Sequence, residues 1–334
     1  MKKTILINFF VLFFLLILGE FFFGTWFKSN NFGTHLRGHI NAKVKMNTSI
    51  GGIKKEFIFF RNSNAFRNYE VPNSEIDVVF VGGSTTIQSY LPYEETIVGY
   101  LNEMFREKNI LFANAGMEGK STYGYLCDFK YWFSKLSDLN PKYYIFYTGY
   151  NDTWNFENPK KFNCDNITSS SSKIKKIIDY SINNSFILSN LKILKHDLFQ
   201  KKIEFEISTN KDSFEYVTFD KANKKFYKYK KSEKDKIIIN NYKQNLEKLK
   251  KIFVEYNIKP IFITQVSNQG NENHLTYLIN NETKTFAKEN GYLIFKLDEE
   301  IKLSSEDFYD YVHNNANGSK KIATYIYNNI LELF

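Results

Sequence analysis

From residue 76 onward, apolar residues follow two alternating patterns. Short apolar runs such as DVVFV, which begins at Asp77, are typical of strands buried on both faces. Between them lie longer segments in which apolar residues recur every three or four positions, as they do in amphipathic helices. The predicted strands begin at Asp77, Ile110, Lys142, Pro260 and Leu293, and the predicted helices cover about Glu94 to Lys108, Tyr123 to Leu139, Lys234 to Tyr256, His274 to Asn290 and Gly318 to Leu333.

This alternation predicts a parallel sheet with helices on both faces. In such sheets, ligands bind beyond the carboxyl ends of the strands. The alternation is interrupted at about 154–233 by an insertion rich in Ser, Asn and Lys. An insertion at the end of a strand lies where substrate-binding lids usually lie, but it could equally be an elaboration without a role in chemistry. Both interpretations remain open at this point.

The N-terminal segment differs from the rest of the chain. After two lysines, the residues from Thr4 to Phe27 are almost all apolar, Glu20 being their single charge. The run is long enough to cross a bilayer core of ~30 Å as a helix. It is longer than the apolar core of a cleavable signal peptide, it ends in bulky residues such as Trp26, and it lacks the polar face of a core helix. We therefore predict an uncleaved single-pass membrane anchor.

Three regions follow from this prediction: a transmembrane anchor at 1–27, a stem at 28–75 and a folded domain at 76–334 that carries the insertion. The leading lysines favour a cytoplasmic N-terminus, which would place the folded domain on the extracytoplasmic (periplasmic or outer) side. The membrane would then be one partner of the chain.

Composition adds a sizeable core and a basic surface. Hydrophobic residues make up 43% of the chain and aromatic residues 18%, which is ample for a folded domain. The net charge of +9 would suit an anionic partner. However, Lys, Asn, Ile, Phe and Tyr are abundant together, as AT-rich coding would produce without selection for binding. No nucleic-acid recognition motif accompanies the charge, so we predict no nucleic-acid partner.

The cysteines and histidines do not predict a metal site. The two cysteines, Cys127 and Cys164, have no partner ligands at metal spacing, which excludes structural zinc. They could form one disulfide or remain two buried thiols. His35 and His39 are four residues apart, but Gly38 argues against a helix there and no third ligand is nearby.

Three polar turns follow the ends of three successive predicted strands. The first contains Ser84 behind two glycines, the second contains Gly116 and the third contains Asn151. Paired glycines let the backbone turn sharply, which would present Ser84 at a strand-to-helix junction. Gly116 lets the backbone approach a ligand closely, and Asn151 offers an uncharged amide donor that suits an oxyanion.

A serine nucleophile needs a base and a group that orients the base. Of the five histidines, His313 has a carboxylate, Asp310, three residues earlier in a loop that leads into a helix. That spacing lets Asp310 accept the Nδ1 proton and leaves Nε2 for the serine. Asp307 is a competing orienting residue. His196 and His274 are interpreted as ordinary residues.

Taken in order, these features resemble the four sequence blocks of the SGNH, or GDSL, hydrolases. The blocks are Ser84 after Gly-Gly, Gly116, Asn151 within Gly-x-Asn-Asp, and Asp310-x-x-His313. The resemblance covers about residue 77 to the C-terminus, excluding the insertion.

Other positions extend this resemblance or depart from it. The segment from Asn62 to Arg67, together with Glu95-Thr96 and Leu101, is similar to features of the membrane-anchored bacterial members. Gly83 stands where the family usually has Asp before the nucleophile. This change leaves the nucleophile and the oxyanion donors intact.

The resemblance implies a three-layer α/β/α sandwich around a central, mostly parallel five-stranded sheet, and acyl-ester chemistry. Ser84, His313 and Asp310 would form the catalytic triad. The oxyanion would receive hydrogen bonds from the Ser84 N–H, the Gly116 N–H and the Asn151 amide. No metal or organic cofactor is required.

The predicted location favours a substrate in the cell envelope. We expect a serine esterase that removes acyl groups, most simply O-acetyl, from an envelope glycan or a small ester. An O-acetyltransferase would use the same triad, with a sugar hydroxyl replacing water as the acceptor. An inactive glycan-binding scaffold is a third alternative, but such a module has no need of Ser84, Gly116, Asn151, Asp310 and His313 together.

Overall fold

A computed structural model describes residues 2–24, 26, 32, 36, 39–154, 173–188, 190–191, 194, 203–207 and 216–334. The strands are β1 (Lys43–Ile50), β2 (Ile53–Phe60), β3 (Val78–Gly82), β4 (Phe112–Asn114), β5 (Tyr143–Tyr147), β6 (Ile203–Ile207), β7 (Pro260–Ile263) and β8 (Leu293–Phe295). The helices are α1 (Lys2–Phe23), α2 (Ser84–Ile87), α3 (Ile97–Met104), α4 (Thr122–Tyr131), α5 (Tyr150–Trp154), α6 (Lys173–Asn184), α7 (Phe219–Phe226), α8 (Glu233–Glu255), α9 (His274–Glu289), α10 (Leu297–Glu300) and α11 (Ala316–Ile330).

The central sheet has five parallel strands in the order β4-β3-β5-β7-β8. Every residue of β3 and β7 is buried, as expected for strands covered on both faces. All five strands are ones that the apolar runs predict. The predicted parallel sheet is therefore confirmed.

Alternate residues of β3 contribute to two separate cores. Val79 and Val81 belong to the cluster that contains Leu246 of α8, whereas Val78 and Phe80 belong to the cluster that contains residues of α3 and α11. This alternation follows from the pleat of a strand, which directs successive side chains to opposite faces. The sheet thus lies between two helical layers, which confirms the predicted three-layer sandwich.

A second, smaller sheet includes two strands from 28–75, the region predicted as a stem or linker. β1 and β2 form an antiparallel hairpin around Gly51 and Gly52, which have φ angles of 57° and 81°. β6, from the insertion, pairs in parallel with β1. After the hairpin, Phe66 and Arg67 are buried in the main domain. The residues from Lys43 to Arg67 are therefore a structured part of the fold, because alternation in β1 and the glycine pair specify a hairpin.

The N-terminal apolar run forms α1. Residues Lys3–Phe23 are long and apolar enough to cross a membrane, and the helix is not buried against the rest of the protein. The structure thus confirms the helix itself, which length and composition make compatible with a membrane span or with a signal sequence.

Candidate active site

The candidate nucleophile lies at the start of a short helix. β3 ends at Gly82, and Ser84 is the first residue of α2. The N–H groups of a first helical turn have no partner within the helix, so the Ser84 N–H has no intrahelical acceptor. Ser84 itself is half-buried. The predicted strand-to-helix junction is therefore present.

Asn151 lies directly against this junction. Its Nδ2 atom donates a hydrogen bond of 2.9 Å to the Lys120 carbonyl oxygen. A β-carbon built on Gly83 would lie only 2.3 Å from the same Nδ2 atom and 3.2 Å from the Lys120 oxygen. A side-chain amide has two N–H groups, and the bond to Lys120 uses one of them. The Asn151 amide is thus an oriented donor beside the turn of Gly83 and Ser84.

Gly116 lies close to the same helix but in a different role from the one that the resemblance assigns to it. Its N–H donates a 2.9 Å hydrogen bond to Asn114 Oδ1, and the Asn114 amide donates in turn to the Thr86 carbonyl oxygen. A β-carbon on Gly116 would lie 2.3 Å from the Ile87 nitrogen. In this structure, Gly116 therefore permits close packing on α2 and its N–H is already bonded.

The loop that follows Gly116 contributes a contact that the sequence did not predict. Gly119 has a φ angle of 67°, a left-handed conformation that favours glycine, and it precedes Lys120, whose carbonyl orients Asn151. The Lys120 side chain is buried and pairs with Asp128 at 2.6 Å. A second glycine within four residues of Gly116 was the available signal for this turn.

Asp310 and His313 form a bonded pair. His313 Nδ1 lies 2.7 Å from Asp310 Oδ2, and Asp310 Oδ1 accepts the backbone N–H groups of Val312 and His313 at 2.9 and 2.8 Å. Burial by itself would raise the pKa of Asp310, but the hydrogen bonds and the charge of His313 outweigh it and hold that pKa below its ordinary value. The carboxylate is thus kept ionised and bonded to Nδ1, which leaves Nε2 for another partner.

Asp307, the competing orienting residue, is occupied elsewhere. It is fully buried, pairs with Lys321 Nζ at 2.8 Å and accepts hydrogen bonds from the Asn317 amide and the Ser304 backbone N–H. These contacts tie the start of α11 to the preceding turn. Asp307 is therefore a structural residue.

The histidine loop lies between the neighbours of Ser84 and those of Asn151. The Tyr309 ring stacks on the His313 ring at 5.5 Å with an angle of 8° between planes, and it also meets the ring of Tyr90 at 6.4 Å. On the other side, Tyr311 meets the Tyr150 ring at 6.4 Å. Among the described residues, no hydrogen bond joins Ser84 Oγ to His313. Such bonds are often long in unliganded enzymes and shorten when substrate binds.

Asp152, the residue after Asn151 in α5, is half-buried, and its carboxyl group contacts Thr122 at the start of α4. It accepts hydrogen bonds from the Thr122 hydroxyl at 2.5 Å and from the Thr122 backbone N–H at 3.2 Å. Burial raises the pKa of Asp152 to about 7, although the bonds from Thr122 oppose that shift. Asp152 thereby links the loop after β5 to the loop after β4, which carries Lys120.

Among the remaining candidate positions, the structure describes His274 and Cys127. His274 begins α9 and pairs with Asp235 at 3.2 Å, whereas His35 and His196 lie outside the described residues. Cys127 is buried and disulfide-bonded. The other cysteine of the chain, Cys164, lies outside the described residues.

Among known proteins, solved structures are similar to this chain. No protein-family model matches the chain, and no curated protein matches it. A lipolytic protein of the G-D-S-L family from Veillonella parvula is 13% identical with a TM-score of 0.44, over 78% of this chain and 98% of its own. An acetylxylan esterase, Axe2, from Geobacillus stearothermophilus is 12% identical with a TM-score of 0.43, over 76% of this chain and 93% of its own.

A GDSL-like lipase from Bacteroides thetaiotaomicron is 13% identical with a TM-score of 0.39, over 81% of this chain and 95% of its own. The chain is thus similar in structure to G-D-S-L lipolytic proteins and to an acetylxylan esterase.

Proposed function

We propose that this chain is a membrane-anchored serine esterase that removes ester-linked acyl groups, chiefly O-acetyl, from a cell-envelope glycan. The observation that carries the proposal is the Asp310–His313 pair at 2.7 Å, in a loop flanked by the neighbours of Ser84 and of Asn151. Binding of a glycan does not require an ionised carboxylate that is hydrogen-bonded to a histidine Nδ1, whereas a catalytic triad does.

In the proposed reaction, His313 Nε2 takes the Ser84 proton as Ser84 Oγ attacks the ester carbonyl carbon. The carbonyl oxygen becomes an oxyanion, which accepts hydrogen bonds from the Ser84 N–H and from the second N–H of the Asn151 amide. The imidazolium then protonates the departing alcohol, which leaves an acyl group on Ser84. A water molecule, deprotonated by His313, releases the carboxylic acid and restores the serine.

The oxyanion donors differ from those that the resemblance implies. Because the Gly116 N–H is bonded to Asn114 Oδ1, it would have to exchange that acceptor before it could serve an oxyanion. We therefore assign the main donation to Ser84 and Asn151. Gly116 keeps a supporting role, since its lack of a side chain lets the second loop pack on α2.

Two features support the extracytoplasmic location. α1 has the length and apolarity of a membrane span. Cys127 is disulfide-bonded, and disulfides persist in oxidising compartments such as the periplasm or the cell surface. An outward-facing, tethered esterase meets envelope polymers as its nearest abundant substrates, which is the reason for proposing a glycan.

The proposal is tested with the full chain in detergent or vesicles and p-nitrophenyl acetate as substrate. We expect hydrolysis by the wild type and a loss of at least about a hundredfold in kcat/KM for Ser84→Ala. Ser89→Ala, which removes a hydroxyl five residues away, is the matched control and should retain activity. Equal turnover by Ser84→Ala and the wild type would refute the mechanism.

Addition of an acceptor sugar distinguishes hydrolysis from acyl transfer by the same triad. An esterase releases acetate at the same rate with or without the acceptor, and no acetylated sugar accumulates. Acetylated sugar formed at the expense of acetate would instead identify an O-acetyltransferase. Absence of both products, with retained glycan binding, would identify a binding scaffold.

A further inference from the structure

Among the described residues, the insertion forms hydrogen bonds with Glu20 of the anchor helix α1. Glu20, near the end of α1, accepts hydrogen bonds from the Ser185 hydroxyl and from the backbone N–H groups of Phe186 and Ile187 at 3.1 and 2.9 Å. It also accepts the Trp26 indole N–H at 2.8 Å. Glu20 lies three positions before the end of α1 at Phe23, about 4.5 Å along a helix, so this contact lies near one end of the apolar segment.

The helix that leads into this contact is amphipathic. α6 ends at Asn184, one residue before Ser185. Ile174, Ile177 and Ile178 are spaced three and four apart, which places them on one face of α6. Their exposed fractions are 70%, 65% and 51%. Three isoleucines exposed together on one helix are unusual for a surface that meets only water.

The same apolar exposure continues after the contact with Glu20. Leu188, Leu191 and Leu194 are also exposed, at 41%, 52% and 53%. Phe186 meets Phe23 of the anchor helix with 5.2 Å between ring centroids. Phe186 thus joins the apolar residues that follow α6 to the apolar surface of α1.

The sequence of α6 is also suited to a lipid headgroup region. Besides its isoleucines it contains Lys173, Lys175 and Lys176 against a single acidic residue, Asp179. A short helix with an apolar face and a basic polar sequence is typical of segments that lie in the plane of a membrane surface. Juxtamembrane lysines are attracted to anionic lipids.

We propose that α6 and the residues that follow it as far as Leu188 form a second membrane contact, which lies in the interface of a phospholipid bilayer containing anionic lipid, with Ile174, Ile177 and Ile178 facing the acyl chains. This inference rests on the proposed membrane anchor. The Glu20 carboxylate accepts hydrogen bonds from the first residues after α6. This contact holds the anchor helix and α6 at the same membrane surface.

The insertion also reaches the candidate active site through a series of aromatic contacts. β6 belongs to the same insertion, and its Phe205 stacks on Tyr90 with 3.5 Å between ring centroids. Tyr90 in turn meets Tyr309, which stacks on His313. The insertion therefore contributes both the proposed membrane-lying helix and an aromatic contact beside the candidate catalytic histidine.

The test uses the full chain reconstituted in vesicles of phosphatidylcholine and phosphatidylglycerol with a doxyl-labelled phospholipid as quencher. Single cysteines are introduced as Ile177→Cys, Phe10→Cys on α1 and Val254→Cys on α8, and each is labelled with an environment-sensitive fluorophore. Val254 is 75% exposed and serves as the matched solvent-facing control. The unsubstituted chain, treated identically, measures background labelling.

We expect a blue-shifted, lipid-quenched signal at positions 177 and 10 and an unquenched signal at position 254. Quenching at position 10 without quenching at 177 would overturn this inference while leaving the anchor intact. No quenching at either position would overturn the anchor and this inference together. Neither result depends on esterase activity.

A charge variant tests the lipid chemistry. Lys175→Glu/Lys176→Glu should lose the quenching at position 177, because the reversed charges repel anionic headgroups. Lys250→Glu/Lys251→Glu, on α8, is the matched control and should keep it. Unchanged quenching in the α6 variant would show that anionic lipid is not the partner.

Discussion

A β-carbon on Gly83 would lie 2.3 Å from Asn151 Nδ2, far inside the contact distance of two such atoms. The absence of a side chain at this position therefore allows the Asn151 amide to lie beside the nucleophile turn. The φ angle of Gly83, −90°, is compatible with any residue, so contact rather than backbone strain would penalise a substitution.

Gly83→Ala should displace the Asn151 amide and lower kcat by at least about tenfold, because a single oxyanion donor contributes on the order of 10²–10³. Esterase kinetics of Gly83→Ala, Asn151→Ala and the double variant check this. If Gly83→Ala acts through Asn151, the double variant should be no slower than Asn151→Ala alone. Independent, multiplying losses would contradict the coupling.

The raised pKa of Asp152 should make the free energy of unfolding depend on pH. Its folded pKa of about 7 lies above the ordinary value for an aspartate, so the native state holds the proton more tightly than the unfolded state does. The stability that protonation contributes is present below about pH 4 and is lost as the pH rises through about 7, a free-energy change on the order of a few kcal/mol.

Asp152→Asn does not titrate, and its amide oxygen still accepts a hydrogen bond from Thr122. The Tm of the wild type minus the Tm of Asp152→Asn should therefore fall steadily between pH 4 and pH 8, as measured by thermal unfolding at matched ionic strength. A difference that is constant or that grows with pH would show that the carboxyl is ionised in the folded protein throughout.

At the scale of elements, the position of α2 is stabilised by Arg67, which lies seventeen positions before Ser84. The Arg67 guanidinium is completely buried and donates hydrogen bonds to the carbonyl oxygens of Ile87, Gln88 and Leu91. Carbonyls at the end of a helix have no partner within it, and a planar guanidinium can serve several at once. Arg67 thus fixes the end of the helix whose first residue is Ser84.

Arg67→Lys keeps the charge but reaches fewer of these carbonyls. Each carbonyl left unsatisfied in the interior costs about 1–3 kcal/mol, so we expect a stability loss of about 2–4 kcal/mol in urea unfolding. The control is Arg106→Lys, where the side chain is 73% exposed and no measurable change is expected. Equal stability of Arg67→Lys and wild type would contradict the capping role.

Element types followed from the sequence more closely than element ends did. The helix predicted from Glu94 to Lys108 is observed as α3, Ile97–Met104, because Thr96 caps its start by accepting the Gly99 N–H and three-residue 3-10 turns occupy both flanks. Such caps depend on which backbone groups the tertiary structure leaves unpaired, and apolar spacing does not report this.

The hairpin of β1 and β2 was missed for a different reason. Its residues are mostly half-exposed and mix lysines with apolar residues, so the region resembles a polar stem when each residue is considered by itself. The alternation in β1 and the Gly51-Gly52 turn were visible signals. Pairing of β1 with β6, about 150 residues away, was not visible, since parallel pairing between distant segments leaves no local pattern.

At the scale of the whole molecule, the parallel sheet explains why residues far apart in sequence were predicted to form one site. Ser84, Asn151 and the loop with Lys120 all follow strands whose carboxyl ends lie at one edge of the sheet, so the topology alone brings them together. The sequence did not indicate the internal acceptor of the Gly116 N–H or the buried role of Asp307. Both depend on side-chain contacts between loops, which carry no periodic signal.

The central claim is that Ser84 is made nucleophilic by His313, which comes from a segment more than 200 residues later in the chain. Covalent labelling of the full chain with a fluorophosphonate, followed by intact-mass and peptide analysis, tests it most directly. The account predicts one adduct, on Ser84, and labelling at least about a hundredfold slower in His313→Ala, the usual contribution of a general base. A wild type without an adduct on Ser84, or equal labelling rates in the two proteins, would contradict it.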